Sequence, residues 1–230
     1  MNVQSNTYTF IFASIMVLVV AAGLAITATQ LKPFYKENVK KEKQQNILAS
    51  IGVECSREEA VELYKKYVKK TYVINSKGEV ISDDATKINL SIEVKKEDVA
   101  TRNLPIFECE KDGKTFYIIP VRGKGLWGPI WGYIALQDDF TTIEGVTFDH
   151  KAETPGLGSE IATKEFFEQY TGKKIFDEAG KFVSIEVVKG GADPSSLYEV
   201  DGVSGGTITS KALEKMVYDC LLPYEAYFKK

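Results

Sequence analysis

Histidine and cysteine are scarce in this chain of 230 residues, which contains one histidine and three cysteines. Cys55, Cys109 and Cys220 stand far apart, and no CxxC or CxxH pair occurs. Zinc and iron–sulfur sites depend on such closely spaced pairs, and a disulfide framework depends on an even number of cysteines. The sequence therefore predicts three free thiols and no metal ligands.

The chain also lacks an excess of basic residues and a P-loop. Its 29 lysines and arginines are outnumbered by 32 aspartates and glutamates, which gives a formal net charge of −3. Proteins that bind nucleic acid usually carry a basic surface, so the composition predicts no nucleic-acid partner. The P-loop spacing GxxxxGK[ST] does not occur, which excludes that mode of phosphate binding.

The N-terminal region contains the longest uncharged segment. Residues 9–28, TFIFASIMVLVVAAGLAITA, include no Asp, Glu, Lys or Arg. Twenty helical residues extend about 30 Å, which matches the hydrocarbon thickness of a bilayer. A cleaved signal peptide is the alternative, but the segment exceeds the usual apolar region of about 7–15 residues and lacks a basic start. The pattern favours a retained membrane helix.

The charges that follow this helix indicate its orientation only weakly. Residues 32–43 contain five lysines, and the positive-inside rule would place that flank in the cytoplasm. Glu37 and Glu42 are interleaved with these lysines, which weakens the bias. Residues 33–50 have the pattern of a charged amphipathic helix that continues outward from the membrane.

The predicted organisation has four parts: an N-terminal tail (residues 1–8), a membrane helix (9–28), a juxtamembrane helical linker (29–50) and one domain (51–230). Helix and strand patterns follow each other in the domain without regular βαβ alternation. This predicts an α+β fold with a twisted, mostly antiparallel sheet flanked by helices. Helices are expected over 56–70, 159–171 and 207–221, a hairpin over 71–82, and strands over 115–121, 130–136, 142–148 and 182–188.

Three glycine-rich stretches are candidates for ligand binding, and the first is DGVSGGTITS, residues 201–210. It leads directly into the last predicted helix. Free N–H groups at a helix start, approached closely over glycines, can bind a phosphate. Ser204 or Thr207 could equally cap that helix, so the local sequence leaves both interpretations open.

The other two stretches are HKAETPGLG (150–158) and GKGLWGPIWG (123–132). Proline and two glycines in the first predict a rigid loop whose backbone a planar ligand could approach, although ordinary surface loops have the same composition. Trp127 and Trp131 stand in a glycine-rich turn, where exposed aromatic rings need something to cover them. Either a ligand or the core could provide that cover.

Behind a membrane helix, and in the chain order 123–132, 150–158 and 201–210, the three stretches resemble the FMN-binding domain family of bacterial respiratory flavoproteins. HxxETPGLG and DxxSG(A/G)TxTS are the patterns of that family. GKGLWGPIWGYIAL is similar to its branch formed by the C subunits of Na+-translocating NADH:quinone oxidoreductases. The resemblance covers the whole chain. One departure is Gly206, where the family usually has alanine; glycine removes only a methyl group and permits the same turn.

The resemblance implies FMN attached covalently, through a phosphoester, to the matching threonine, Thr207. A dedicated flavin transferase would form the bond from FAD, and Asp201 would help to present the threonine. His150 is expected to be structural, and no residue is expected to act as an acid or base. Lys189 has an alternative role as a solvated charge at a strand end. The further residues expected around FMN are Ser204, Gly205, Glu153, Thr154, Leu157, Trp127 and Lys189.

The implied function is electron transfer within a membrane complex. Electrons that began at NADH would reach this FMN and pass to the FMN of a neighbouring subunit, on the way to quinone. NADH and quinone would bind other subunits, so the isolated chain is not expected to oxidise NADH. The implied partners are those subunits, the flavin transferase and the lipid bilayer.

The implied location is the inner membrane, with the flavin domain on the periplasmic side because the transferase is exported. This expectation opposes the weak charge bias after residue 28. Two alternatives stay open at this point. One is the G subunit of an Rnf-type electron transport complex, which the GLWGPIWG stretch disfavours. The other is a membrane-anchored, non-redox binding module in which SGGT only caps a helix.

Overall fold

A computed structural model describes residue 3 and residues 5–229 of the chain. The remaining residues of the expected N-terminal tail, at positions 1, 2 and 4, lie outside the described part. The chain divides into two compact units, residues 1–43 and 44–230. Helix α1 (Asn6–Ser50) contributes residues to both units.

The first unit consists mainly of the N-terminal part of α1. This part is long and apolar enough to cross a membrane, and none of its apolar stretch is buried. Phe10, Val17 and Leu18 are exposed, whereas the core helix of a domain would bury such side chains. The expected span (9–28) and linker (29–50) both lie within this one helix, and the boundary between them stays a prediction.

The second unit contains the sheet and the shorter helices. Its 3₁₀ turns are Ala85–Lys87, Val99–Thr101, Gly158–Ala162 and Leu222–Tyr224. The strands are β1 (Val68–Ile74), β2 (Val80–Ser82), β3 (Leu104–Lys111), β4 (Lys114–Lys124), β5 (Pro129–Leu136), β6 (Ile143–His150), β7 (Glu186–Val188) and β8 (Glu199–Asp201). The helices are α2 (Ala60–Tyr67), α3 (Leu90–Glu93), α4 (Lys164–Glu168), α5 (Thr207–Leu221) and α6 (Glu225–Phe228).

Strands β1–β6 form one antiparallel sheet in the order β2-β1-β3-β4-β5-β6, and β7 and β8 form a separate parallel pair. Successive residues of a strand point to opposite faces of a sheet. In β5, Ile134 belongs to the core that includes Leu213 of α5, whereas Ala135 belongs to the core that includes Ile47 of α1. The α+β fold with a mostly antiparallel sheet is confirmed.

Three predicted elements differ in extent from the observed ones, the first because a tertiary contact overrides the local pattern. The first is the helix expected over 56–70, of which α2 forms only the middle. Ser56 and Glu59 do exchange the hydrogen bonds of a capping box, with the Ser56 N–H 2.9 Å from Glu59 Oε2. At Val68 the chain leaves the helix and pairs with Cys109 of β3, a strand that the sequence did not predict.

The other two differences have local backbone causes. The helix expected over 159–171 is a 3₁₀ turn followed by α4, interrupted at Thr163. Thr163 has an extended backbone, and its hydroxyl caps α4 by accepting from the Phe166 N–H. The strand expected over 182–188 is reduced to β7 because Ser184 has a φ of 62°, which a strand cannot contain.

Gly132 allows β5 and β6 to approach closely. A Cβ atom at this position would overlap the carbonyl oxygen of Thr147 and lie 2.5 Å from Cδ1 of Phe148. Both obstacles belong to β6, so the strand itself would have to move. The glycine of the WG pair is therefore required by sheet packing.

We expect Gly132→Ala to lower the free energy of unfolding by about 3 kcal/mol, because the added methyl group overpacks the β5–β6 pair. The measurement is urea denaturation of the detergent-solubilised chain, followed by circular dichroism. Gly128→Ala is the matched control in the same stretch, since its Cβ would meet Lys151 Cβ at an ordinary 3.4 Å. Equal stability of the two variants would show that the strands can separate here without cost.

Candidate functional site

The carboxylate of Glu153 joins the three glycine-rich stretches. Its Oε1 accepts a hydrogen bond from the backbone N–H of Trp127 at 2.9 Å. Its Oε2 accepts one from the hydroxyl of Thr209 at 2.6 Å. Glu153 is 4% exposed and Thr209 is 2% exposed. Because a buried carboxylate must have its oxygens satisfied, these bonds fix the three stretches against one another.

Two motif glycines make room for this carboxylate. A Cβ at Gly125 would lie 2.5 Å from Glu153 Oε1. A Cβ at Gly158 would lie 2.7 Å from Glu153 Oε2 and 2.5 Å from the Thr209 hydroxyl. Any side chain at either position would displace the Glu153 bonds. These glycines are thus explained by the approach of Glu153.

The ETPGLG loop (residues 153–158) is also held by contacts of its own. Nδ1 of His150 accepts from the Glu153 N–H at 3.2 Å, which requires this nitrogen to be unprotonated. The carbonyl of Thr154 accepts from the Leu157 N–H at 3.1 Å, while the Thr154 residue itself is exposed. Gly156 has a φ of 73°, which favours glycine. These contacts and the positive φ define a tight turn, while the predicted rigidity of the loop stays a prediction.

Helix α5 begins at Thr207, where the sequence predicts it, with Gly206 as its N-cap. Glycine has no side chain to cap with, so neither Ser204 nor Thr207 is the capping residue at this helix start. No N-cap side chain therefore accepts a hydrogen bond from the first N–H groups of the helix. Gly205 has a φ of 72°, and a Cβ there would lie 2.6 Å from Cδ2 of Leu157.

The four hydroxyl groups of residues 201–210 have different surroundings. Thr209 donates to Glu153, and Ser210 accepts from the Val203 N–H at 3.0 Å; both residues are buried. Thr207 is half-buried and Ser204 is exposed. Thr207 and Ser204 are therefore the two hydroxyl-bearing residues of this stretch that are not buried.

Each glycine-rich stretch also exposes at least one large apolar side chain, and the stretch 123–132 exposes two, because Leu126 is 46% exposed beside Trp127. Trp127 is 65% exposed, Leu157 is 42% exposed and Ile208 is 62% exposed. Trp131, in contrast, is half-buried, with the Arg122 guanidinium 5.7 Å from its ring centroid. The sequence analysis did not predict that Ile208 would be exposed beside the candidate site. A large apolar residue in the first helical turn after SGGT is the signal that could have indicated it. The sequence analysis also missed the pairing of Thr209 with Glu153.

Lys189 and Asp201 lie at the same end of the parallel β7–β8 pair. Val188 is paired with Asp201, so exposed Lys189 follows β7 at the edge where the chain leaves β8 for α5. The Asp201 carboxylate accepts from the Ala192 N–H at 2.5 Å. Asp201 therefore fastens the loop that begins at Lys189, a role that the sequence did not suggest.

The glycines at 123, 125 and 128 have the spacing GxGxxG of dinucleotide-binding proteins. In those proteins the motif connects a strand to a helix of a βαβ unit. Here the glycines connect the antiparallel strands β4 and β5, and the Gly125 N–H bonds to the Gly128 carbonyl at 2.7 Å. The stretch is a hairpin and lacks the helix start that binds a pyrophosphate.

Residues 125–222 match the family model of the FMN-binding domain. The C subunit of Na+-translocating NADH-quinone reductase from Vibrio parahaemolyticus is 34% identical over 218 residues, which cover 86% of this chain and 83% of the relative. The chain belongs to this family of C subunits. The corresponding protein from Pseudomonas aeruginosa is 31% identical over 241 residues, covering 94% of this chain and 92% of its own.

Solved structures of such C subunits have the same fold. The crystal structure of the one from Parabacteroides distasonis is 39% identical, with a TM-score of 0.79, and the match covers 87% of this chain and 98% of that one. The crystal structure of NqrC from Shewanella oneidensis is 29% identical, with a TM-score of 0.69, and the match covers 82% of this chain and 95% of that one. The resemblance drawn from the three motifs is confirmed at the level of the family.

We expect Glu153→Gln to lower the free energy of unfolding by about 2 kcal/mol, because an amide offers one acceptor to two donors. Thr209→Val should have a similar effect, and the double variant should lose less than the sum, since both changes break the same bond. Urea denaturation measures all three. Glu165→Gln, an exposed carboxylate on α4, is the control. Strictly additive losses would contradict a shared bond.

Proposed function

We propose that this chain is the membrane-anchored electron-transfer subunit of a Na+-translocating NADH:quinone oxidoreductase, with FMN attached by a phosphoester to Thr207. Membership of the NqrC family and the FMN-binding match at 125–222 support the coarser statement, an FMN-containing electron-transfer subunit. The start of α5 supports the finer statement, the attachment of FMN to Thr207. There Gly206 leaves the first N–H groups uncapped beside half-buried Thr207.

The phosphate end of FMN suits this helix start. Backbone N–H groups and the helix dipole favour an anion there, and no N-cap side chain occupies the position. Exposed Ser204 offers a further hydroxyl in the same turn. Lys189, at the adjoining edge of β7 and β8, supplies a cation for the phosphate.

The ring end of FMN suits the exposed apolar side chains. An isoalloxazine ring packed against Trp127 and Leu157 would remove them from water, with Thr154 at the exposed surface of the same loop. Glu153 has both oxygens bonded within the chain, so we assign it the role of positioning Trp127 and the ETPGLG loop. FMN supplies the one-electron and two-electron chemistry when bound.

Attachment needs a base, which we assign to the flavin transferase. The Thr207 oxygen loses its proton and forms a bond to the FMN-side phosphorus of FAD; the pyrophosphate bond breaks and AMP leaves. A threonine hydroxyl is a weak nucleophile without a base. The only histidine, His150, has Nδ1 bonded to the Glu153 N–H. A flavin transferase therefore has to provide the activation.

Thr207→Val, which keeps the branched shape and removes the hydroxyl, should abolish covalent flavin. The chain is expressed with a flavin transferase and denatured, and flavin is then detected by gel fluorescence and by the intact mass. Thr209→Val is the control: it should keep the flavin while losing stability, because Thr209 bonds Glu153.

Covalent flavin on the Thr207→Val chain, or FMN mapped to Ser204, would overturn the attachment site. A wild-type chain with no flavin after co-expression would favour the non-redox binding module. Reduction of the assembled complex by ferredoxin rather than NADH would favour the Rnf-type alternative. The isolated chain should show no NADH oxidation in either case.

We further propose that residues 9–28 span the inner membrane and that the flavin domain lies on the periplasmic side, among the other subunits of the complex. The exported transferase supports this side, and the lysines of residues 32–43 oppose it. A C-terminal alkaline phosphatase fusion should be active in cells that contain the partner subunits. An inactive fusion, together with a fluorescent cytoplasmic reporter at the same position, would reverse the topology.

A further inference from the structure

A cavity of about 680 Å³ lies along α5 beyond the proposed FMN site. Its walls come from the end of β4, the start of β5, the segment around α3, and α5 between Ala212 and Cys220. These α5 residues begin more than one helical turn after Thr207, and neither Thr207 nor Glu153 lines the cavity. Cavities of about 300–1,000 Å³ are the usual size for small-molecule sites.

The side chains around this cavity are strongly basic, although the whole chain has a net charge of −3. Among the described residues of the wall, the single acidic side chain is Asp219, which forms an ion pair of 2.8 Å with Lys215. That pair leaves the other cations of the wall uncompensated. The five cationic side chains are Lys95, Arg102, Arg122, Lys124 and Lys215.

The two arginines of the wall have no carboxylate within ion-pair distance in the part of the chain that the structure describes. Arg102 donates to the carbonyls of Val94 and Lys96, at 3.3 and 3.1 Å. Arg122 lies over the ring of Trp131. Both are half-buried. A guanidinium partly withdrawn from water is well suited to a phosphate or carboxylate, which it binds through two parallel bonds.

The floor of the cavity does not neutralise these charges. Val94 and Met216 are apolar, and Cys220 is a buried free thiol. Burial raises the pKa of the Cys220 thiol to about 11, so it is uncharged at neutral pH. The Cys220 sulfur is instead engaged with the Arg122 backbone, accepting from its N–H at 3.5 Å.

We propose that this cavity binds an anionic group, a phosphate or a carboxylate, with Arg122 and Lys124 as its main partners and Arg102 on the inner wall. The group comes either from a small molecule or from acidic side chains of another protein. Gly128 and Pro129, which follow Trp127 in the sequence, line the cavity, whereas Trp127 does not. The proposal does not depend on FMN attachment or on the proposed function.

The test is isothermal titration calorimetry on the full chain in non-ionic detergent, produced without a flavin transferase. Pyrophosphate is the small-molecule probe and a hexaglutamate peptide is the carboxylate probe. Arg122→Gln should weaken binding by at least about tenfold, because one charge-assisted bidentate contact is lost. Arg57→Gln, remote from the cavity lining, is the matched control and should bind like the unchanged chain.

Lys124→Gln provides a second variant at an exposed position, with Lys114→Gln at the opposite end of β4 as its control. Pyrophosphate binding that depends on Arg122 and Lys124 supports a small phosphate ligand. Peptide binding with the same dependence supports a protein partner. The proposal is wrong if neither probe binds at concentrations up to about 10 mM, or if both variants bind as well as their controls.

Discussion

The buried Glu153 carboxylate is the constraint on which the candidate site depends. It belongs to one loop, yet its two oxygens bond the backbone of a second loop and a side chain of α5. Removal from water makes unsatisfied oxygens costly, so the three segments have to meet in one arrangement. The glycines at 125 and 158 follow from this arrangement, because nothing larger fits beside the carboxylate.

Helical geometry separates the two threonines of the first turn of α5. Residues two positions apart on a helix point in very different directions. Thr209 faces the interior and bonds Glu153, whereas Thr207 remains half-buried at the helix start. The two threonines of the motif TxT therefore have different environments, one buried against Glu153 and the other at the partly exposed helix start.

Local sequence patterns predicted the parts of the fold that depend on local physics. Helix α5 has its expected bounds because the glycines and the apolar periodicity that follows define it within a few residues. Helix α2 ends early, and β3 was missed, because the pairing of Val68 with Cys109 joins residues that are far apart in sequence. The positive φ of Ser184 likewise has no signal in the residue type.

The same distinction between local and long-range effects applies to the site. Motif resemblance identified Glu153 as important but not its partner, because Thr209 stands 56 positions later and only the fold brings the two together. The basic cavity was not predicted either, since its arginines lie on different segments and belong to no recognisable motif.

The bond between Asp201 and the Ala192 amide has a thermodynamic consequence for the FMN binding proposed at the α5 start. Gly190 and Gly191 have φ values of 93° and 114°, so the loop after Lys189 has a backbone path that few other residues could follow. The Asp201 bond restricts that path before any ligand arrives. The entropy of ordering the loop is therefore lost during folding, so the proposed binding of the FMN phosphate beside Lys189 would not have to order this backbone again.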